Sequence, residues 1–401
     1  MTQYRFYIIA VAITLLSLTS ACSDSQPKSQ PSENKVELPA GAVEIKYQHH
    51  IYCNVILRDS IPARMIFDTG CSGLMLDSTF YADTFGKSGN LRKAMLGGAG
   101  NGKELANLDV SSWKYSIGKI SQIDEMAMVV NLRKIVGDEA DGMFGMAFMQ
   151  GKRVEFNYAD GWMRFLPSDE KISDEYTRIQ CSWLDGKMRI VIPLSITLND
   201  GYVFEGNFLI DTGMAGTLSL NSTTADMLKQ NQHLADARRM IYSVGGIGGS
   251  REDYVFKSPK ISIGGLSIPD VRVTWAGNTT GSLADTRYDG LIGNALLERF
   301  DVIFDFINCA IYLRPNKNFK NAEPNDLGIA LTPKADHWIV NGLLEGGNAE
   351  QAGLRRGDRI EAINGIKAND SNILDLYPLP ATITLSVKRN NKLEDITIHK
   401  E

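Results

Sequence analysis

The chain has 401 residues, enough for two to four domains, and an ordinary globular composition of 43% hydrophobic and 22% charged residues. Its formal net charge of −5 provides no basic footprint, which argues against nucleic acid as a partner. Paired-cysteine zinc spacing, His-Glu-x-x-His and Cys-x-x-Cys are all absent, so no metal or organic cofactor is implied.

The first 21 residues read as an export signal. One positive residue, Arg5, precedes an apolar stretch from Tyr7 to Leu18 that is too short to span a bilayer comfortably. The following "LTSAC" resembles the lipobox of bacterial lipoproteins. That resemblance implies cleavage before Cys22, a lipid on Cys22, and membrane anchoring in a bacterial cell envelope, facing the periplasm or the surface. A plain signal peptide cut near Ala21 is the other reading. Residues 22–40 include "SDSQPKSQPSENK", which lacks apolar residues and reads as a disordered tether. Four cysteines remain, Cys53, Cys71, Cys181 and Cys309. They allow three disulfide pairings, or none.

Next comes "MIFDTGCSGLMLDST", residues 65–79, where a run of apolar residues ends on a carboxylate at Asp68. Nearly the same pattern returns in "NFLIDTGMAGTLSLNST", residues 207–223, with Asp211 in that place, an offset of 143 positions. A second element repeats too. "DGMFGMAFMQGKRVEFNYADGWMRFLP" from Asp141 aligns without a gap to "DGLIGNALLERFDVIFDFINCAIYLRP" from Asp289, 148 positions on. Two related units of roughly 140 residues therefore stand in tandem.

Each unit reads as mostly β. "MRIVIPLSITL" and "YVFEGNFLI" are β-branched or aromatic runs bounded by turn formers. The best helix candidate is residues 224–240, "TADMLKQNQHLADARRM". A Gly-rich patch follows each Asp-Thr-Gly, at 96–104 and at 244–252.

The chemistry suggested is that of a carboxyl pair. Two carboxyl groups about 3 Å apart cannot both ionise, so they hold one proton between them. The ionised member takes a proton from water, and the protonated one hydrogen-bonds to the attacked carbonyl. Thr69 and Thr212 offer hydroxyls for bonds across the interface. Gly70 and Gly213 permit a tight turn and close approach.

On these motifs the chain resembles the aspartic proteases of the pepsin and retropepsin superfamily, over roughly residues 41–316. The resemblance rests on two hydrophobic-Asp-Thr-Gly segments, each followed by a hydrophobic-hydrophobic-Gly element, "MFG" at 143–145 and "LIG" at 291–293. It implies a mainly β, bilobal fold of two homologous β-barrel-like lobes, 41–172 and 173–316, acting as a monomer on extended polypeptide. It implies that Asp68 and Asp211 form the catalytic dyad, supported by Thr69, Gly70, Thr212 and Gly213. The "MFG" and "LIG" elements would form ψ-shaped loops threaded by the Asp-Thr-Gly segments. Gly97, Gly98 and Gly100 would belong to one flap, and Gly245 and Gly246 to a second, an arrangement nearer the retroviral enzymes than pepsin.

The chain departs from the pepsin pattern in two places. Cys71 and Met214 stand where pepsin-like enzymes carry a hydroxyl bonded to a catalytic carboxylate. Losing a donor to the ionised form raises a carboxyl pKa, so the dyad is expected to titrate above pepsin's values of about 1.5 and 4.7. Pepsin's flap tyrosine has no counterpart in "GGAGNGKE".

Other local readings compete. Gly97 to Lys103 fits part of a P-loop, but Glu104 replaces the metal-binding hydroxyl. Cys71 suggests a thiol nucleophile, yet nothing in the sequence brings His49 or His50 to it. His233, His337 and His399 show no ligand spacing.

Residues 317–326 read as a linker. Beyond them, "GGNAEQAGLRRGDRIEAINGIKA", residues 346–368, resembles a PDZ domain, an α+β module spanning 327–401. The resemblance implies a short helix before Ala-Gly-Leu and a strand with its turn at "AINGI". It puts a loop for a peptide C-terminus at Leu327, Gly328 and Ile329. Residues 369–380 are short and hold two prolines where the family has its groove helix. Ligand binding and simple bracing of the protease therefore both stay open. Two wider alternatives also stand: a non-catalytic peptide-binding lipoprotein that keeps the fold, and a PDZ-led scaffold.

Overall fold

The two copies of the sequence repeat fold as two copies of one β motif. The computed structural model describes residues 38–86, 91–100, 102–242, 246–247, 251–320, 327–369 and 380–401. The expected leader, Cys22, Gly245, and most of the 369–380 segment lie outside the described residues.

In the first copy, strand Ile61–Phe67 runs parallel to Gly142–Phe144, which runs antiparallel to Leu74–Asp77. In the second, Val203–Ile210 runs parallel to Gly290–Ile292, which runs antiparallel to Leu218–Leu220. Met65, Ile66 and Phe67 are fully buried, so the strand presents an unbroken apolar run. The glycines of the second element are sterically required. A Cβ on Gly142 would lie 2.4 Å from the Met75 carbonyl oxygen, and one on Gly290 2.2 Å from that of Ser219. Asp141 and Asp289 turn back on the leading strands, accepting from the N–H of Arg64 (2.9 Å) and of Asn207 (2.7 Å). Asp77 and Asn221 cap the helices that follow, Ser78–Phe85 and Ser222–Gln230.

Strand pairing joins the lobes. Arg153–Asn157 and Phe300–Asp305 come one from each repeat and pair antiparallel within one continuous sheet. Phe67, Phe156 and Phe304 meet above it, with Phe67 and Phe156 stacked at 5.0 Å between centroids. One apolar cluster thus runs through both lobes.

The structure shortens the helix expected over 224–240. It ends at Gln230, Gln232 takes a positive φ of 63°, and Arg238–Tyr242 is a strand. Only Thr224, Ala225 and Leu228 bury the helix, while the later residues gain more from pairing with Arg251–Ile263. Tertiary pairing overrides the local period.

Cys53, Cys71, Cys181 and Cys309 are all thiols. Cys181 and Cys309 are neighbours, the N–H of the first donating to the carbonyl of the second at 2.9 Å.

The C-terminal domain has its own core around Trp338, Ile360, Leu385 and Ile398. The short helix Asn348–Gln351 precedes Ala352-Gly353-Leu354. Strand Arg359–Ile363 turns through Asn364 and Gly365, both at positive φ, into Ile366–Lys367. The domain is nonetheless continuous with the second lobe. Strand Trp338–Leu344 pairs with Ile329–Pro333 along one edge, and along the other with Arg359–Ile363 and then Arg238–Tyr242. Leu38–Glu401 is one compact unit. The start of the expected linker also lies on the lobes: Phe319 packs on Phe300, and Lys317 pairs with Asp160 at 2.8 Å.

Candidate active site

Asp68 and Asp211 sit just beyond the ends of the two apolar strands, where each chain turns. The N–H of Asp68 donates to Phe144 O (3.0 Å), and that of Asp211 to Ile292 O (2.9 Å). These bonds thread each Asp-Thr-Gly segment through the loop made by its own second element. Gly145 and Gly293 make the threading possible. A Cβ on Gly145 would lie 1.9 Å from Cys71 O, and one on Gly293 2.2 Å from Gly216 O.

The threonines lock the two turns together. The Thr69 N–H donates to Thr212 Oγ1 (2.9 Å), and the Thr212 N–H to Thr69 Oγ1 (3.0 Å). Each hydroxyl then donates into the opposite strand, Thr69 to Ile210 O (2.7 Å) and Thr212 to Phe67 O (2.9 Å). Both threonines are fully buried. Four bonds satisfy every donor in the pair, and they relate the lobes by an approximate two-fold axis.

That axis brings the carboxyl groups together. Each lies close enough to the other to shift its ionisation. The Gly70 N–H donates to Asp68 Oδ1 (2.7 Å), and the Gly213 N–H to Asp211 Oδ1 (3.0 Å). The glycines serve a further purpose. A Cβ on Gly70 would stand 2.9 Å from Asp211 Oδ1, and one on Gly213 2.5 Å from Asp68 Oδ2, so each glycine makes room for the other lobe's acid.

Burial opposes the ionisation of both acids. Burial lifts the Asp68 carboxyl well above the usual range, and the charge of Asp211 adds to this. Burial lifts Asp211 too, but the hydrogen bond from Asp68, the N–H groups of Gly213 and Met214, and the charge of Arg189 pull it back. Burial opposes a charge on either carboxyl, so the pair holds one proton between them.

The dyad opens into a cavity of about 1220 Å³, walled by both lobes and by the C-terminal domain. Two hairpins cover it. Leu91–Gly97 with Lys103–Asp109 forms one, and Arg238–Tyr242 with Arg251–Ile263 the other. Their tips touch: the Gly100 N–H donates to Ile247 O at 2.9 Å, and Gly98 and Gly246 pack on Ile247 and Ala99. The first tip also reaches the second lobe, where Asn278 Nδ2 donates to Ala99 O (2.9 Å). The Gly97–Lys103 stretch is thus a hairpin end with no helix after it, which removes the P-loop reading.

Cys71 lines the cavity, but its thiol donates to Gly73 O (3.1 Å), and burial and Asp68 push its pKa up. It is an un-ionised thiol, the opposite of an activated nucleophile. His49 lines the same cavity. Sequence spacing did not bring it here. It arrives by the turn between strands Ala42–Gln48 and His50–Leu57. Burial holds its imidazole neutral, lowering its pKa to about 4. His233 pairs with Asp200 on the surface, away from the site.

Sequence reading also missed Asn294. Its side chain donates to Thr212 O (2.6 Å) and to His49 O (3.1 Å), and accepts from the Tyr158 hydroxyl (3.2 Å). It ties the second Asp-Thr-Gly turn to the first lobe. The signal was available, since Asn294 directly follows the repeated glycine, but its partners are distant in sequence.

Of the three residues at the supposed peptide-carboxylate loop, Ile329 lines the cavity that holds the dyad. Gly328, at a φ of 67°, lines a smaller cavity with Arg238 and Glu401. Leu327 is buried in the domain core.

Residues 339–379 match the family model of the PDZ domain. Among solved structures, the chain is similar to the crystal structure of an aspartic proteinase from Irpex lacteus, with 16% identity and a TM-score of 0.44, covering 71% of this chain and 99% of that one. No curated protein matches the chain.

Proposed function

We propose that this chain is an aspartic endopeptidase that hydrolyses peptide bonds in extended polypeptide. The observation that carries the reading is the facing pair of buried acids, Asp68 and Asp211, at the junction of the two lobes, held there by the paired threonines and by glycines that leave each acid its room.

The chemistry starts from the pair with its one shared proton on Asp68 and its charge on Asp211. The Asp211 carboxylate takes a proton from a water molecule, whose oxygen attacks the peptide carbonyl carbon. The Asp68 proton passes to the carbonyl oxygen, forming a tetrahedral diol. As the C–N bond breaks, the proton held by Asp211 moves to the departing nitrogen. A diol proton returns to Asp68, leaving a carboxylic acid, an amine and a dyad with one proton. The touching hairpins exclude bulk water while this happens. A largely apolar cavity of about 1220 Å³ has room for several residues of a bound chain.

Membrane anchoring through a lipid on Cys22 belongs to the same proposal and rests on the "LTSAC" segment alone. The peptidase reading is tested by incubating the full chain with reduced, alkylated protein and a statine-type peptide that mimics the tetrahedral diol. Cleavage that the mimic blocks supports it. Cleavage blocked only by thiol or metal reagents contradicts it.

A further inference from the structure

We infer that the C-terminal domain supplies a specificity subsite of the catalytic cleft, one that takes an apolar side chain of the polypeptide substrate. The inference rests on the peptidase reading and names a determinant within it.

The wall that carries the inference is the strand Ile329–Pro333. Ile329, Ala330 and Leu331 line the same continuous cavity as Asp68 and Asp211. The same cavity is lined by Tyr242 of the second flap, which meets Ala330 at Gly342, and by Ile135 and Val136 of the first lobe. All but the Tyr242 hydroxyl are apolar, and no charged side chain of the C-terminal domain lines the cavity among the described residues. A side chain entering there is selected by the apolar area it buries.

The wall is held on both sides of the cleft. On the flap side, Met240, Ile241 and Tyr242 pair with Leu344, Leu343 and Gly342. Gly342 is required at this seam, because a Cβ there would lie 2.8 Å from the Tyr242 ring and 2.9 Å from the Ala330 Cβ. On the lobe side, Lys334 Nζ donates to Asp138 (2.9 Å) and to Arg133 O (3.0 Å), and Gly137 packs on Pro333. A domain fixed at a flap and at the opposite lobe keeps its wall at one distance from the dyad. It therefore reads one substrate position relative to the bond cut.

The test profiles cleavage of a randomised decapeptide library by the full chain, Ala330→Trp and Leu331→Arg, sequencing products by mass spectrometry. Wild type is expected to prefer an apolar residue at one position. Ala330→Trp should lower kcat/KM at least about tenfold for peptides with a large apolar residue there, mainly through KM. Leu331→Arg should shift the preference at that same position toward Asp and Glu, a gain that loss of folding does not produce. Unchanged profiles in both variants, with wild-type melting temperatures, overturn the inference and leave the peptidase reading intact. If wild type cleaves nothing, the peptidase reading fails by itself. The same library is then passed over immobilised full chain and its Leu331→Arg variant. An apolar enrichment among retained peptides that turns acidic in the variant supports the subsite, and identical retention, or none, overturns it.

Discussion

Glu155 of the first lobe pairs with Ile303 of the second, which is its own counterpart under the 148-residue repeat from Asp141 to Asp289. The approximate two-fold axis therefore runs between these two residues, as it does between Thr69 and Thr212. The backbone keeps the symmetry and the side chains do not. Glu155 accepts from Arg164 (2.6 Å) and Tyr176 (2.7 Å), whereas Ile303 is apolar and buried. The same division holds at the dyad, where matched backbones carry acids with different surroundings, the charge of Arg189 acting on Asp211.

Thr69→Val keeps shape but removes one hydroxyl from the paired turns. The buried Thr212 N–H loses its acceptor and Ile210 O its donor. Unfolding in urea should show a loss of about 2–6 kcal/mol, at about 1–3 kcal/mol for each of the two buried groups left without a partner. Thr69→Ser keeps all these bonds and should lose only about 1 kcal/mol, from the missing methyl.

Asp68→Asn should make the protein less active and more stable at neutral pH. The folded-state pKa of Asp68 is raised, so between the ordinary carboxyl value of 3.8 and that raised value the folded chain holds a proton the unfolded chain has released. Stability thus falls as pH rises through that window. Thermal melts from pH 4 to 7 should show a shallower fall for Asp68→Asn than for wild type. Parallel curves would mean that the acid is not strained by its surroundings.

His50 works in the opposite sense. Burial lowers its pKa from 6.5 to about 4, and its Nδ1 lacks a hydrogen-bond partner. The neutral ring contributes stability that is present above pH 6.5 and is lost as pH falls toward 4, roughly 3 kcal/mol at most. His50→Phe should remove that loss. The measurement is urea unfolding at pH 7.5 and 4.5, compared between variant and wild type.

Arg189 favours the charged form of Asp211. Its charge helps lower Asp211, so Arg189→Leu should move the acid limb of the pH–rate profile to higher pH, and Arg189→Lys should restore it. For wild type, burial of both acids puts the whole profile above that of a pair titrating at about 1.5 and 4.7. A rate maximum near pH 2 would contradict the electrostatics described here.

The legible parts of this molecule were those that repeat. Asp68 and Asp211, with their threonines and glycines, stand out because duplication places them in register, and apolar runs mark their strands. Features made by tertiary contact were not legible. His49 reaches the cavity through a turn, and Asn294 binds partners far away in sequence. The helix after Asn221 stops at Gln230 because Arg238–Tyr242 has strands on both sides to pair with. The C-terminal segment was recognisable from its Ala-Gly-Leu and Gly-Asp-x-Ile pattern. No local pattern, however, records that Gly342 makes room for Tyr242 and so joins that domain to a flap.

The central claim, one proton held between two acids from two lobes, is tested most directly by the single variants Asp68→Asn and Asp211→Asn. Each is assayed for cleavage of the same reduced, alkylated polypeptide at the wild-type optimum. The account predicts that each alone lowers kcat at least about 10³-fold while the chain stays folded, since each acid has its own proton to carry. Either variant retaining near wild-type turnover would contradict it.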